Sequence, residues 1–89
     1  MPRKTLTLTN RRGLHARAAT RLVACCQPFE SKVHVYKGTQ KADARNIMAL
    51  LILAAPFGTE LTVHAEGKDA EQALDAVEAL FDARFDEDA

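Results

Sequence analysis

The chain of 89 residues contains no tryptophan, one tyrosine and only two cysteines. Cys25 and Cys26 are neighbours in what reads as a helix, where adjacent side chains diverge, so they neither bridge one another nor match a metal-site spacing. They are read as reduced, buried thiols serving as small apolar side chains. Aromatics are also scarce at 6%, and the basic residues stand singly without rings between them, which argues against a nucleic-acid surface. The longest apolar run, "IMALLILAAPF" at 47–57, is well short of the ~20 residues needed to cross a bilayer, so no membrane partner is expected. The N-terminal "MPRKTLTLTN" is basic but has no apolar h-region, and the expected location is therefore cytoplasmic. No low-complexity linker and no solenoid-length repeat interrupts the chain.

What is present fits a single domain over 1–89. The chain is 47% hydrophobic and 27% charged, a globular balance, and a domain this short buries about 60% of its unfolded surface. Net charge is zero but unevenly placed. Residues 1–45 hold ten Lys/Arg against two Asp/Glu, and residues 46–89 hold two against ten, so the first half is strongly positive.

Hydrophobic periodicity gives the order β-α-β-β-α-β-α. "TLTLT" at 5–9 alternates, with Leu6 and Leu8 inward. From Ala16 to Gln27 the apolar positions 19, 22, 23 and 26 have helical spacing, and Pro28 stops the helix. "KVHVY" at 32–36 alternates again, "KGT" reads as a hairpin turn, and a short strand follows near 40–43. "NIMALLILA" at 46–54 reads as a short helix that is apolar nearly all round. "LTVHAE" at 61–66 is a fourth alternating segment. Asp69, with Gln72 three residues on, has the pattern of a capping box before a helix carrying Ala70, Ala73, Leu74, Val77, Leu80 and Phe81. The acidic end "DEDA" is expected to fray. The fold class is α+β, with helices on one side of one sheet.

The chemistry concentrates in "NRRGLHARAAT" at 10–20. A helix starting at Ala16 puts His15 at its N-cap, where free amides from Ala16 to Ala18 and the positive end of the helix dipole favour an anion, above all phosphate. Arg17 adds a planar, permanently charged donor, and Arg12 and Arg21 add a longer-range field. A neutral imidazole there can act as a nucleophile, although a histidine before a helix also serves as a simple cap. A hydrolase triad lacks its other members. A metal site would require His34 and His64, outward-facing on strands, to reach His15, so no metal is expected.

"GLHARAAT" resembles the active-site segment of the HPr family, the histidine-containing phosphocarriers of the phosphoenolpyruvate-dependent phosphotransferase system. The resemblance extends through "NIMALLILA", "GTELTVHAEG" and "DAEQALDAVEAL". It implies an open-faced β-sandwich, a four-stranded antiparallel sheet with three helices on one face. It also implies that His15 receives phosphate at Nδ1, with Arg17 as its partner in the motif. By the same resemblance the donor is an enzyme I-type phosphotransferase and the acceptor an IIA-type protein, the chain needs no cofactor of its own, and it works as a monomer. The alternative is a protein-binding regulatory module on the same fold, which would have no need of the His15–Arg17 pair.

Two positions depart from the family pattern. Ala18 replaces the usual proline and should leave one more amide for the anion. Asn46 stands where many members carry a regulatory serine, so control by a serine kinase is not expected, and Asn46 should instead cap the second helix. The "ALLIL" stretch and the acidic tail resemble the nitrogen-related branch. On the second helix, Leu50, Leu53 and Ala54 suffice for the core, which leaves Ile47, Met48, Leu51 and Ile52 as a docking patch beside His15. Thr20 and Arg21 are expected to join that patch.

Overall fold

The computed structural model describes residues 2–87. The elements are β1 (Arg3–Thr7), α1 (Ala16–Cys26), β2 (Lys32–Lys37), β3 (Gln40–Asp43), α2 (Ile47–Ile52), β4 (Glu60–Glu66) and α3 (Ala70–Asp82), with a short 3-10 turn at Arg84–Asp86. All strand pairs are antiparallel, and the sheet order is β1-β4-β2-β3. Alternation sorts the side chains as expected. Leu6, Val33, Val35, Ala42, Leu61, Val63 and Ala65 are buried with residues of all three helices in one core. Thr62, His34, His64 and Tyr36 lie on the opposite, open face and stay partly exposed.

Boundaries shift where pairing or capping decides them. β1 begins at Arg3 rather than Thr5 because Arg3 and Lys4 pair with His64 and Val63 on β4. Lys4 shares the core-facing side of this edge strand, and its ammonium reaches out to Asp75 at 3.1 Å and Glu78 at 2.6 Å on α3.

α2 is shorter than its apolar run. Asn46 caps it as expected, its side chain accepting from the Ala49 N–H at 3.0 Å. Replacing Asn46 by alanine should cost about 1 kcal/mol, readable as a lower denaturant midpoint with an unchanged slope. At the other end, Lys37 Nζ donates to the Leu53 and Ala54 carbonyls, each at 3.0 Å, and closes the helix with a cation. Ala54 then turns into left-handed backbone, φ 52°, and is exposed. The expectation that Ala54 fills the core is corrected: the helix has already ended, and Ala49 packs against the core from within it.

Asp69 also departs from expectation. It stands at the N-cap position of α3 but makes no side-chain cap bond. Its carboxylate accepts from the Ser31 hydroxyl, the Ser31 N–H at 2.9 Å and the Glu30 N–H at 3.0 Å. The Ser31 hydroxyl first, then those backbone donors, hold its carboxyl below the ordinary range. The clasp therefore stabilises the fold above the usual carboxylate range and weakens as pH falls through the depressed value.

The chain end is not frayed through residue 87. Phe85 is fully buried and packs on Phe81 with ring centroids 4.9 Å apart. Residues 88–89 of the acidic tail lie outside the described residues.

Candidate functional site

The segment leading into α1 is shaped by contacts that only certain residues permit. Gly13 adopts φ +67°, and a Cβ there would lie 2.4 Å from the Ala55 carbonyl oxygen. Glycine is therefore required twice over, for the backbone angle and for the close approach. The neighbouring Leu14 N–H donates to that same Ala55 oxygen at 2.9 Å, which ties the turn to the chain leaving α2. Asn10 is fully buried, and its Nδ2 donates to the Gly13 carbonyl at 2.6 Å.

His15 follows in extended backbone, φ −84° and ψ −179°, at the N-cap of α1. Its carbonyl accepts the Ala19 N–H at 2.9 Å, and its Nδ1 accepts the Arg17 N–H at 3.3 Å. The imidazole caps the helix in the manner of an Asn or Asp side chain. On the other side of the ring, Nε2 meets the Glu87 carboxylate. Its second oxygen accepts from Asn10 Nδ2 at 3.1 Å. Burial opposes ionisation of Glu87, but the Asn10 amide, the His15 ring and the nearby Arg12 outweigh it and hold the carboxyl below its ordinary range.

The two contacts of the ring assign its neutral tautomer. An Nδ1 that accepts needs a lone pair, and an Nε2 against a carboxylate needs a proton. The lone pair thus lies on the side of the α1 N-terminus. Ala16 and Arg17 are exposed there, and the Arg17 guanidinium has no partner among the described residues. Ala18 is fully buried, so the extra amide expected of it is closed off from solvent. Thr20 is exposed, with its hydroxyl donating back to the Ala16 carbonyl at 2.9 Å. Arg21 does not project as a docking cation: its guanidinium donates to the Phe85 carbonyl and holds the C-terminal turn against α1.

Of the expected docking residues, Ile47, Met48 and Ile52 are exposed, Met48 at 65% and Ile52 at 70%. Leu51 is half-buried and packs against the core. Phe57, 63% exposed, was missed because it lies past the helix in a loop with no period to read. Beside it runs a groove of about 450 Å³ lined by Thr9, Arg11, Phe57 and Arg84, two of them cations. The Ala55 contact brings this end of the patch up to the turn that carries His15.

The other candidates stay apart from the site. His34 and His64 are cross-strand partners on the open face, with the His64 ring 4.5 Å from that of Tyr36 and tilted 40° to it. Among the described residues no group of three or more His, Cys, Asp or Glu side chains gathers as a metal site. Cys26 is buried and Cys25 half-buried, both as free thiols. Burial, reinforced by the neighbouring Cys25, pushes the Cys26 thiol up to about 12, which makes it inert. No helix among the described residues is long and apolar enough to cross a membrane.

The site is thus a helix-capping histidine beside an arginine, on an open sheet backed by three helices. Comparison with known proteins places this arrangement in a family. The family model described as "PTS HPr component phosphorylation site" matches residues 2–83. The chain is 42% identical over 84 residues to phosphocarrier protein NPr of Shewanella violacea, covering 94% of this chain and 92% of that protein. It is 40% identical over 88 residues to phosphocarrier protein HPr of Pseudomonas aeruginosa, covering 98% of each. The crystal structure of HPr-C-His from Thermoanaerobacter tengcongensis superposes over 100% of both chains with a TM-score of 0.95 at 34% identity. The chain belongs to the HPr family of phosphotransferase-system phosphocarriers. Relatives named NPr and HPr match it at nearly equal identity.

Proposed function

We propose that this chain is a cytoplasmic phosphocarrier that takes a phosphoryl group on Nδ1 of His15 from an enzyme I-type phosphotransferase and passes it to an IIA-type acceptor. The observation that carries this reading is the lone pair of Nδ1, held at the N-terminus of α1 by the Arg17 N–H. A phosphoryl oxygen would take over that N–H, with the positive end of α1 beneath it and the free Arg17 fork alongside. Phosphoryl transfer needs mainly positioning and charge stabilisation, and these groups supply both. The donor's own active site supplies phosphoenolpyruvate chemistry, so the chain needs no cofactor or metal, and it serves as a monomer.

Incubation with enzyme I and phosphoenolpyruvate, followed by mass spectrometry, should find one acid-labile phosphate, on His15. No phosphate, or phosphate on another residue, would overturn the reading.

Docking falls to Ile47, Met48 and Ile52, with the flank of Leu51 and with Phe57 added, and the positive first half steers acidic partners toward them. Met48→Glu introduces a carboxylate at a position already open to water, so the fold should hold. Phosphoryl transfer should slow about tenfold or more in both directions, as loss of a central interface contact does. Unchanged rates in stopped-flow transfer with both partners would remove α2 from the interface.

A further inference from the structure

The proposed function accounts for Nδ1 of His15 and leaves its other nitrogen, and the C-terminal turn that meets it, without a role. That turn is unusual. Arg84, Phe85 and Asp86 are three successive non-glycine residues with φ of 54°, 54° and 61°. L-residues adopt left-handed backbone reluctantly, so the surroundings must hold it in place. Phe85 is buried against Phe81, the Phe85 carbonyl accepts from Arg21 on α1, and the Glu87 N–H donates to the Arg84 carbonyl at 3.0 Å. The outcome of this arrangement is the placement of one carboxylate. Glu87 lies against Nε2 of His15, with the two side chains 10% and 16% exposed. Asn10, fully buried and anchored to Gly13, holds its other oxygen.

We infer that Glu87 is a positioning residue for phosphoryl transfer: by keeping the proton on Nε2 it fixes Nδ1 as the nucleophile and serves as counter-ion to the phosphorylated ring. This inference rests on His15 being the phosphate acceptor. In the forward step Nδ1 attacks phosphorus, and the Nδ1–P bond forms as the donor's bond to phosphorus breaks, its electron pair staying with the donor. The ring, neutral beforehand, now carries a positive charge with Nε2–H unchanged. Onward transfer reverses this: the acceptor's nucleophile takes phosphorus and the Nδ1–P pair returns to the ring. No proton enters or leaves the imidazole in either direction, so none has to be supplied inside a docked complex.

The charged groups around the pair fit this division. Arg12, from the turn before α1, acts on Glu87. Arg21 is engaged by the Phe85 carbonyl, and Arg17 remains for the phosphoryl group. Arg84 and Asp86 on the turn itself are exposed to solvent.

Glu87→Gln keeps the size and an acceptor oxygen while removing the charge. Without the counter-ion, the phosphorylated ring should shed its Nε2 proton at lower pH and become a poorer leaving group. Transfer from purified phosphoprotein to an IIA-type acceptor would be followed from about pH 5 to 9. The alkaline limb of the profile should move down by about one pH unit in Glu87→Gln. Glu71→Gln, which removes an exposed carboxylate on α3, should match the parent. An unshifted profile, or an equal shift in Glu71→Gln, overturns the inference. A second readout uses the unphosphorylated protein: by NMR the His15 Nε2–H should be protected from solvent exchange in the parent and lost to exchange in Glu87→Ala, which removes the acceptor altogether. If the parent accepts no phosphate on His15, the underlying assignment has failed, and this signal alone judges the contact. Its persistence in Glu87→Ala overturns the role of Glu87.

Discussion

His15→Ala should take up no phosphate from enzyme I and phosphoenolpyruvate, yet melt as one cooperative unit close to the parent. The imidazole does two separable jobs. In the proposed function it is the nucleophile, and nothing nearby replaces it: the described residues around Nδ1 are amides, alanines and guanidinium groups. It is also the N-cap of α1, whose loss costs about 1 kcal/mol. In a domain of this size that lowers the melting temperature by roughly 4–8 °C. Phosphate surviving on the variant would refute the assignment of His15. A collapse of the fold would show that the histidine is chiefly structural.

Arg45→Met should be the most destabilising single change among those considered, with little effect on the chemistry of His15 in the protein that remains folded. The Arg45 guanidinium donates to three carbonyls where α1 gives way to β2: Ser31 at 3.0 Å, Cys26 at 2.8 Å, and Phe29. The last turn of α1 has no basic residue of its own, so Arg45 supplies the missing cation from across the fold. Methionine fills similar space and withdraws the donor from all three, of which the Cys26 carbonyl alone keeps another, the Phe29 N–H at 3.2 Å. Each lost partner costs about 1–3 kcal/mol when water cannot replace it, and the loop is open enough for some replacement. A total of about 3 kcal/mol is expected, or a fall of more than roughly 10 °C in melting temperature. Arg45→Lys should fall between, because one ammonium cannot reproduce the fork. A melting temperature within a few degrees of the parent in Arg45→Met would mean that water satisfies the carbonyls as well as the guanidinium does.

The legible parts of the molecule were those written in short-range patterns. Alternation placed Val33, Val35, Leu61 and Val63 in the core, and helical spacing did the same for Leu22, Val77 and Phe81. The N-caps His15 and Asn46 were readable because a cap acts within three residues. Asp69 had the same local signature and went elsewhere, since Ser31 offered its carboxylate a hydroxyl and a backbone amide at once. Sequence spacing cannot weigh donors 38 positions away against local ones. Glu87 and Arg45 were hidden for the same reason. One pairs with a histidine 72 positions away, and the other with carbonyls, which belong to every residue and identify none. Phe85 sat in a segment whose charge masked the one apolar residue that pins it down.

The strand order sets a timetable for a chain emerging from the ribosome. β2 and β3 are neighbours in sequence and in space and can pair within microseconds of their synthesis. β1 is made first but sits at the far edge, next to β4, so it has no neighbour until residues 60–66 arrive. A nascent chain that ends before β4 therefore presents His15 without a completed sheet behind it and without Glu87 at its ring. In the proposed function, premature phosphorylation of a half-made chain is thus disfavoured by topology, since the turn made late is the one that finishes the site of the first-made helix.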